Sequence, residues 1–318
     1  MKIAFLDAKT LGKDADLSIL DKLGKTIIYE TTKYEDVIAR SAGCDIVITN
    51  KTPIDRAAIG SLESLKLICV AATGTNIVDI QACREKGIAV TNVAGYSTAS
   101  VAQITFGMLF YLLENLSYHD YFVKSGLYAK SDTFNHLGRP FCELSSMRFG
   151  IIGMGAIGTR VASIAESFGS EIVYYSTSGK NKNAAFKSVS LDELLGTSDI
   201  VSIHCPLNEK TVNLIDYEKL KSMKRTAILL NTARGGIVCE ASLARAIDEN
   251  IIAGAGIDVY TREPVSPDNP LLAVKNMDKI ILTPHIAFTS VEARKRLASE
   301  IGENISAFIR GEKRNRVD

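Results

Sequence analysis

The sequence predicts an α/β protein built from two doubly wound parallel-sheet units, and three observations predict it. Short apolar runs alternate with helical patterns along the 318 residues, and strand-helix alternation with β-rich runs reads as a parallel sheet covered on both faces. The series pauses and restarts after position 140, and a chain of this length accommodates two ordinary domains, each with its own core. A last helical pattern has no strand after it, so the end of the chain is expected to return to the first unit.

Taken in order, the first unit offers strands at 2–7, 26–30, 45–50, 65–71 and 88–92, with helical period over Leu17–Leu23 and Tyr34–Ala42. The N-terminal apolar run spans only Ile3 to Leu6, too short for a signal peptide, and reads as the first strand. The helix Val101–Leu113 is apolar nearly all round. Such a helix is buried, either in a core or against another subunit. It contains Gln103 and Thr105 and is too short to span a bilayer. The stretch Ser117–Ser146 is less periodic and reads as connection. Strands of the second unit are expected at 149–155, 171–176, 199–204, 227–231, 254–260 and 279–285, with a final helix over Val291–Arg310.

The 37 basic and 36 acidic side chains nearly cancel, which gives no reason to expect a nucleic acid or an anionic membrane as partner. The six cysteines, at 44, 69, 83, 142, 205 and 239, show no zinc spacing. They fit reduced thiols in a cytoplasmic protein.

The run FGIIGMGAIGTRVASIA carries Gly153-x-Gly155-x-x-Gly158 after a strand and at the opening of a helix. In a Rossmann-type unit the first glycine makes the turn, the second lets backbone approach a pyrophosphate, and the third allows close helix-strand packing. The helix N-terminus, at Ala156 and Ile157, then faces the phosphate charge. The second strand of this unit ends in Ser176, Thr177, Ser178, Gly179 and Lys180. An NAD site usually has Asp or Glu at this place to bond the ribose hydroxyls. Ser176 lacks the repulsion of a carboxylate for a 2′-phosphate, while three hydroxyls plus Lys180 and Lys182 offer donors and positive charge. The expected cofactor is NADP in preference to NAD, the competing outcome being use of both.

In an open α/β sheet ligands bind beyond the carboxyl ends of the strands, and the polar residues of the second unit gather there. His204 is followed by Cys205-Pro206, and Asn231 by Thr232-Ala233-Arg234; Asp258 and His285 close two further runs. Reducing a carbonyl with hydride leaves an alkoxide that needs a proton near neutral pH, a task suited to imidazolium. His285, placed by Thr283 and Pro284 directly after an apolar strand, fits that task better than a structural hydrogen-bonder. Glu263 is a loop acid able to pair with it; taken alone it reads as a solvated charge. Arg234, before two glycines, can bind a carboxylate in bidentate fashion and polarise the adjacent keto oxygen. The alternative for Arg234 is a surface residue capping the next helix.

Together these segments resemble the D-isomer-specific 2-hydroxyacid dehydrogenase family over nearly the whole chain. ELSSMRFGIIGMGAIGTRVA looks like its cofactor loop, and HCPLNEKTVNLI and LLNTARGGIVCEASLARAI look like its central signatures. AGIDVYTREP and LTPHIAFTS look like the segments carrying the acid and the histidine. The resemblance implies that Arg234 anchors the substrate, His285 donates the proton and Glu263 supports His285. Asp258 would face the nicotinamide end, with His204, Cys205, Pro206, Thr211, Thr232 and Ala233 lining the cofactor. VAATGTNIVD resembles the loop that offers backbone N–H groups to the substrate carboxylate, at Thr73, Gly74 and Thr75. The resemblance further implies a Rossmann-type cofactor domain at 100–286 and a discontinuous, flavodoxin-like substrate domain at 1–99 and 287–318. It also implies a homodimer formed through the helix matching Val101–Leu113. TNKTPI, at 49–54, looks closest to the glycerate dehydrogenase and hydroxypyruvate reductase branch.

Two other classes compete. A dinucleotide-sensing partner protein on the same fold would keep the glycines without needing Arg234, Glu263 and His285 together. A tyrosine-based alcohol dehydrogenase would use a Tyr-x-x-x-Lys, which occurs at Tyr217 and Lys221, but in a charge-rich segment that reads better as a solvated helix face.

Overall fold

The computed structural model describes residues 1–180 and 183–318. The chain divides into two compact units, Met1–Ser97 with Thr289–Asp318, and Thr98–Phe288. The chain therefore crosses between units at 97/98 and 288/289, against the 99/100 and 286/287 expected from sequence.

The first unit holds β1 (Lys2–Phe5), β2 (Lys25–Ile28), α1 (Val37–Ser41) and β3 (Ile46–Thr49), then α2 (Arg56–Ser61), β4 (Leu67–Val70), α3 (Ile80–Lys86) and β5 (Ala89–Thr91). Every pairing is parallel and the order is β2-β1-β3-β4-β5, the flavodoxin-like order. IVIT of β3 and LICV of β4 are buried throughout, as strands covered on both faces must be. Asp55 and Asp79 cap α2 and α3 by accepting from the amides of Ala58 and Ala82. The expected helix over 17–23 is instead a single 3-10 turn, Ser18–Lys22. Gly24 lies so close to the Met1 carbonyl that a Cβ would come within 2.3 Å of its oxygen. The chain must reverse there into β2, and a short tight turn is what fits.

The second unit opens with α4 (Thr98–Leu113) and α5 (Leu116–Lys124). The presence of α5 corrects the reading of 117–146 as connection. No residue of α5 is buried, so it has no core-facing stripe for periodicity to reveal. There follow β6 (Arg148–Ile152), α6 (Ala156–Ser167), β7 (Glu171–Tyr175), β8 (Lys187–Ser188), α7 (Leu191–Thr197) and β9 (Ile200–Ile203). The unit closes with α8 (Tyr217–Ser222), β10 (Ile228–Asn231), α9 (Glu240–Asp248), β11 (Gly254–Ile257) and β12 (Ile280–Leu282). The last helix, α10 (Val291–Ile309), belongs to the first unit and buries Leu297, Ile301 and Ile305.

The sheet of the second unit is parallel, in the order β12-β11-β10-β9-β6-β7-β8. From β6 the chain winds outward through β7 to β8, then returns to the other side of β6 with β9. This is the dinucleotide-binding arrangement, and the switch between β6 and β9 is where its crevice opens. Tyr217 and Lys221 lie on α8, where the Tyr217 hydroxyl bonds the Glu249 carboxylate at the end of α9. That helix end leads into the amino end of β11, away from the crevice. Among the described residues no helix is long and apolar enough to cross a membrane.

Candidate active site

Three glycines shape the turn from β6 into α6, each for a different reason. Gly153 has φ +97°, and a Cβ there would come within 2.7 Å of the Cys205 amide nitrogen. This is the β6/β9 switch, where the two strand ends meet backbone to backbone. A Cβ on Gly158 would lie 2.1 Å from the Gly153 carbonyl oxygen, so α6 can approach the turn only without a side chain. Around Gly155 a Cβ would meet nothing within 4 Å. Packing gives no reason for a glycine at that place; a ligand laid over it does. Gly155 is the N-cap of α6, with no capping side-chain bond and no acid in the first turn. The first-turn amides at Ala156, Ile157 and Gly158 are left to an outside anion. The turn fits a dinucleotide pyrophosphate.

Beside it, at the end of β9, Cys205 is buried within the apolar core and burial pushes its thiol up to about 11. Its backbone, not its sulfur, faces the glycine turn. His204 shares a 2.8 Å hydrogen bond between Nε2 and the Ser202 hydroxyl, and its buried Nδ1 has no hydrogen-bond partner among the described residues. Burial drives its pKa down to about 3, so the ring is neutral. Pro206 is exposed, while the buried Thr211 hydroxyl donates to the Pro206 carbonyl at 2.7 Å and accepts from the Asn208 amide at 2.8 Å. Thr211 thus fastens the loop from within.

At the end of β10 the Asn231 side chain builds the turn that presents Arg234. It accepts from the Ala233 amide at 3.1 Å and donates to the Arg234 carbonyl at 3.0 Å. Thr232 is buried beside it and Ala233 is half-buried. A Cβ on Gly235 would come 1.9 Å from the Tyr260 backbone, so the chain after Arg234 can press against the β11 loop only as glycine. The guanidinium of Arg234 donates to the Ala233 carbonyl at 2.6 Å. Among the described residues no carboxylate stands at ion-pair distance from it. It is a half-buried cation whose forked face is available.

The ends of β11 and β12 form one hydrogen-bonded unit. Asp258, fully buried, accepts from the Thr283 hydroxyl at 2.6 Å, the Ile286 amide at 2.8 Å and the Ala287 amide at 2.9 Å. The His285 amide donates to the Asp258 carbonyl at 2.9 Å. These bonds hold His285 at φ +54°, a left-handed conformation that a non-glycine residue keeps only when its surroundings impose it. His285 Nδ1 lies 2.6 Å from Glu263 Oε2, and Glu263 Oε1 accepts from the Tyr260 amide at 3.1 Å. The pair is only partly exposed, 20% for the histidine side chain and 30% for the glutamate. With Nδ1 turned to the carboxylate, Nε2 is the nitrogen left for a substrate. Phe288 meets the ring edge-on, centroids 5.5 Å apart.

The switch crevice, the Arg234 turn, Asp258 and His285 therefore arise from β6, β9, β10, β11 and β12, which are neighbours in the sheet. At the end of β7, Ser176 and Thr177 are half-buried and Ser178, Gly179 and Lys180 exposed, with no acidic side chain in the run. Lys182 lies outside the described residues. Thr73, Gly74 and Thr75 belong to the first unit, just past β4. The Thr73 hydroxyl donates to the Val93 carbonyl at 3.0 Å and the Thr73 carbonyl accepts from Asn92 at 2.7 Å. Asn231 and Thr283 entered the sequence reading only as neighbours that place Arg234 and His285, and the hydrogen bonds by which they shape those turns went unremarked. Their signal was a polar residue directly at a strand's carboxyl end.

Comparison with known proteins bears on this arrangement. Residues 106–287 match the family model described as D-isomer specific 2-hydroxyacid dehydrogenase, NAD binding domain. A hydroxypyruvate reductase of Blautia hydrogenotrophica is 36% identical over 326 aligned residues, covering 100% of both chains. A glycerate dehydrogenase of Methylorubrum extorquens is 36% identical over 318 residues, covering 100% of this chain and 99% of the relative. Among solved structures, an acyclic imino acid reductase (Bsp5) in complex with NADPH and D-Arg aligns with a TM-score of 0.89 at 29% identity, over 100% of both chains.

Proposed function

The chain belongs to the D-isomer specific 2-hydroxyacid dehydrogenase family, and we propose that it reduces a small 2-keto acid of the hydroxypyruvate or glyoxylate type to the D-2-hydroxy acid. The observation that carries this reading is the 2.6 Å pair of His285 Nδ1 with Glu263 Oε2, on the same sheet edge as an Arg234 that has no carboxylate partner among the described residues. The names of the hydroxypyruvate reductase and glycerate dehydrogenase relatives support the substrate class.

The nicotinamide dinucleotide supplies a hydride when bound. Gly155, Ala156, Ile157 and Gly158 would hold its pyrophosphate on backbone amides, Gly153, whose own amide donates to the Tyr175 carbonyl at 2.9 Å, makes the turn, and His204, Cys205, Pro206, Thr211, Thr232 and Ala233 belong to the wall beside it. Arg234 takes the substrate carboxylate in its guanidinium fork and polarises the neighbouring keto oxygen. His285, as imidazolium, gives the Nε2 proton to that oxygen as charge develops on it, and is left neutral. Glu263, bonded to Nδ1 at 2.6 Å, orients the ring so that Nε2 is turned to the substrate. Thr73, Gly74 and Thr75 offer amides to a carboxylate in the first unit. Asp258 acts on the reaction through the backbone it bonds around His285.

NADPH is the preferred reductant in this reading, supported by a β7 end that carries Ser176, Thr177, Ser178 and Lys180 where an acid would repel a 2′-phosphate. A homodimer is supported by the apolar surface exposed by the segment after α4, including Phe134 at 89% and Leu137 at 80%, while α4 itself buries its apolar residues within its own unit. The free cysteines support a reducing compartment, the cytoplasm.

A panel of glyoxylate, hydroxypyruvate, pyruvate and branched 2-keto acids, each with NADPH and NADH, tests the reading. The expected result is the highest kcat/KM on hydroxypyruvate or glyoxylate with NADPH, and Ser176→Asp shifts the ratio toward NADH. A wild-type preference for NADH overturns the cofactor assignment, and no turnover on any keto acid overturns the function.

A further inference from the structure

Helix α4 is apolar along most of its length, yet it buries Ser100, at 4% exposure, and Thr105, at 0%. A buried hydroxyl costs free energy unless bonded, and both of these reach out of the helix to the loops that carry the chemistry. Ser100 Oγ donates to the Ala287 carbonyl at 2.6 Å. The Ala287 amide is held at its other end by Asp258 Oδ2 at 2.9 Å, so the peptides just after His285 are fixed from two directions. Thr105 Oγ1 donates to the Val101 carbonyl at 2.8 Å, the usual back-bond of a helical threonine, and lies 3.2 Å from Thr232 Oγ1. Its proton is committed to Val101, so the Thr232 hydroxyl is the donor in that second bond. Thr232 stands two residues before Arg234, in the turn that Asn231 closes.

The helix is seated firmly between these bonds. A Cβ on Gly256, in β11, would come within 3.1 Å of Met108 Cβ. The close approach that glycine permits puts α4 directly on the strand between β10 and β12. One rigid element thus grips the β10 turn bearing Arg234 and the β12 turn bearing His285.

We propose that Ser100 and Thr105 are positioning residues of this enzyme, through which α4 sets the place of the proton donor and of the substrate-binding cation. Neither touches substrate; Ser100 acts through Ala287 on His285, and Thr105 acts through Thr232 on Arg234. The inference rests on the roles given above to His285 and Arg234, and it makes the two hydroxyls separable in kinetics. Misplacing an acid lowers the chemical step, whereas misplacing a binding cation weakens the hold on substrate.

The test compares wild type, Ser100→Ala, Thr105→Val, Thr105→Ser and His285→Ala, measuring kcat and KM for the keto acid, NADPH affinity by fluorescence, and Tm. Ser100→Ala is expected to lower kcat about tenfold, the rate equivalent of one lost hydrogen bond, with KM nearly unchanged. Thr105→Val is expected to raise KM about tenfold with kcat nearly unchanged, and Thr105→Ser, which keeps the hydroxyl, to behave as wild type. Should Thr105→Val not fold, Thr105→Ala removes the same hydroxyl without added bulk and carries the same KM test. An inactive His285→Ala beside wild-type kinetics in Ser100→Ala and Thr105→Val overturns this proposal alone. So does a parallel loss of kcat and KM that follows Tm. Full turnover in His285→Ala overturns the reaction assigned above, and this proposal with it.

Discussion

His285 is held in a left-handed backbone conformation, and its ring is held by a carboxylate 2.6 Å away. Glu263→Gln keeps the size of the partner but removes its charge. The ring then loses the charged acceptor that fixes its orientation, and turnover declines. Wild-type turnover in Glu263→Gln separates the two residues. Arg234→Ala removes a charge-assisted contact to the substrate, a loss of about 2–5 kcal/mol and up to several thousandfold in kcat/KM. NADPH affinity, measured by fluorescence in the same variant, should stay at the wild-type value, because the pyrophosphate cradle lies on other strands. Wild-type kcat/KM in Arg234→Ala refutes its role. His285 and Arg234 could be singled out because each follows a strand end closely, whereas Glu263 alone read as a solvated loop charge and was picked out only as an acid able to pair with His285. The work of Asp258 and Thr283 was not legible, since nothing in a linear pattern tells that one carboxylate gathers a hydroxyl and two amides from 25 to 29 residues further on.

The elements divide between those that periodicity reveals and those that depend on their neighbours. The strands of both sheets were readable as apolar runs, because parallel strands covered on both faces have no polar side, except β8, whose Lys187 and Ser188 are exposed and which the sequence did not reveal. The 3-10 turn Ser18–Lys22 and the exposed α5 were not. The first is dictated by the nearness of Gly24 to Met1, and the second lacks a buried face. The β6–α6 turn allows a sharp comparison. Gly158→Ala puts a Cβ 2.1 Å from the Gly153 carbonyl oxygen and is expected to lower stability by several kcal/mol, read as a fall in Tm. Gly155→Ala meets open space and should keep the wild-type Tm while weakening cofactor affinity at least tenfold, because its methyl occupies the room a pyrophosphate needs. Equal Tm losses in the two variants, or undiminished cofactor affinity in Gly155→Ala, would remove the pyrophosphate from this turn.

At the scale of the molecule, the strand orders β2-β1-β3-β4-β5 and β12-β11-β10-β9-β6-β7-β8 assign one unit to each of two familiar plans. The second places its chemistry at one carboxyl edge. The return of the C-terminal helix to the first unit was visible as a helical pattern with no strand to follow. Beyond α4 the chain exposes Leu116, Tyr121, Val123, Leu127, Phe134, Leu137 and Phe141, large apolar side chains of the kind that mark an interaction surface when they lie together. Sedimentation should therefore report a dimer, and Phe134→Asp with Leu137→Asp should shift it toward monomer; a monomeric wild type contradicts the homodimer. The central claim is tested most directly by chiral analysis of the product formed from hydroxypyruvate and NADPH, with His285→Ala run alongside wild type. The account predicts D-glycerate from wild type and a rate lower by about a thousandfold or more in His285→Ala. An L product, no 2-hydroxy acid at all, or wild-type turnover in His285→Ala would contradict it.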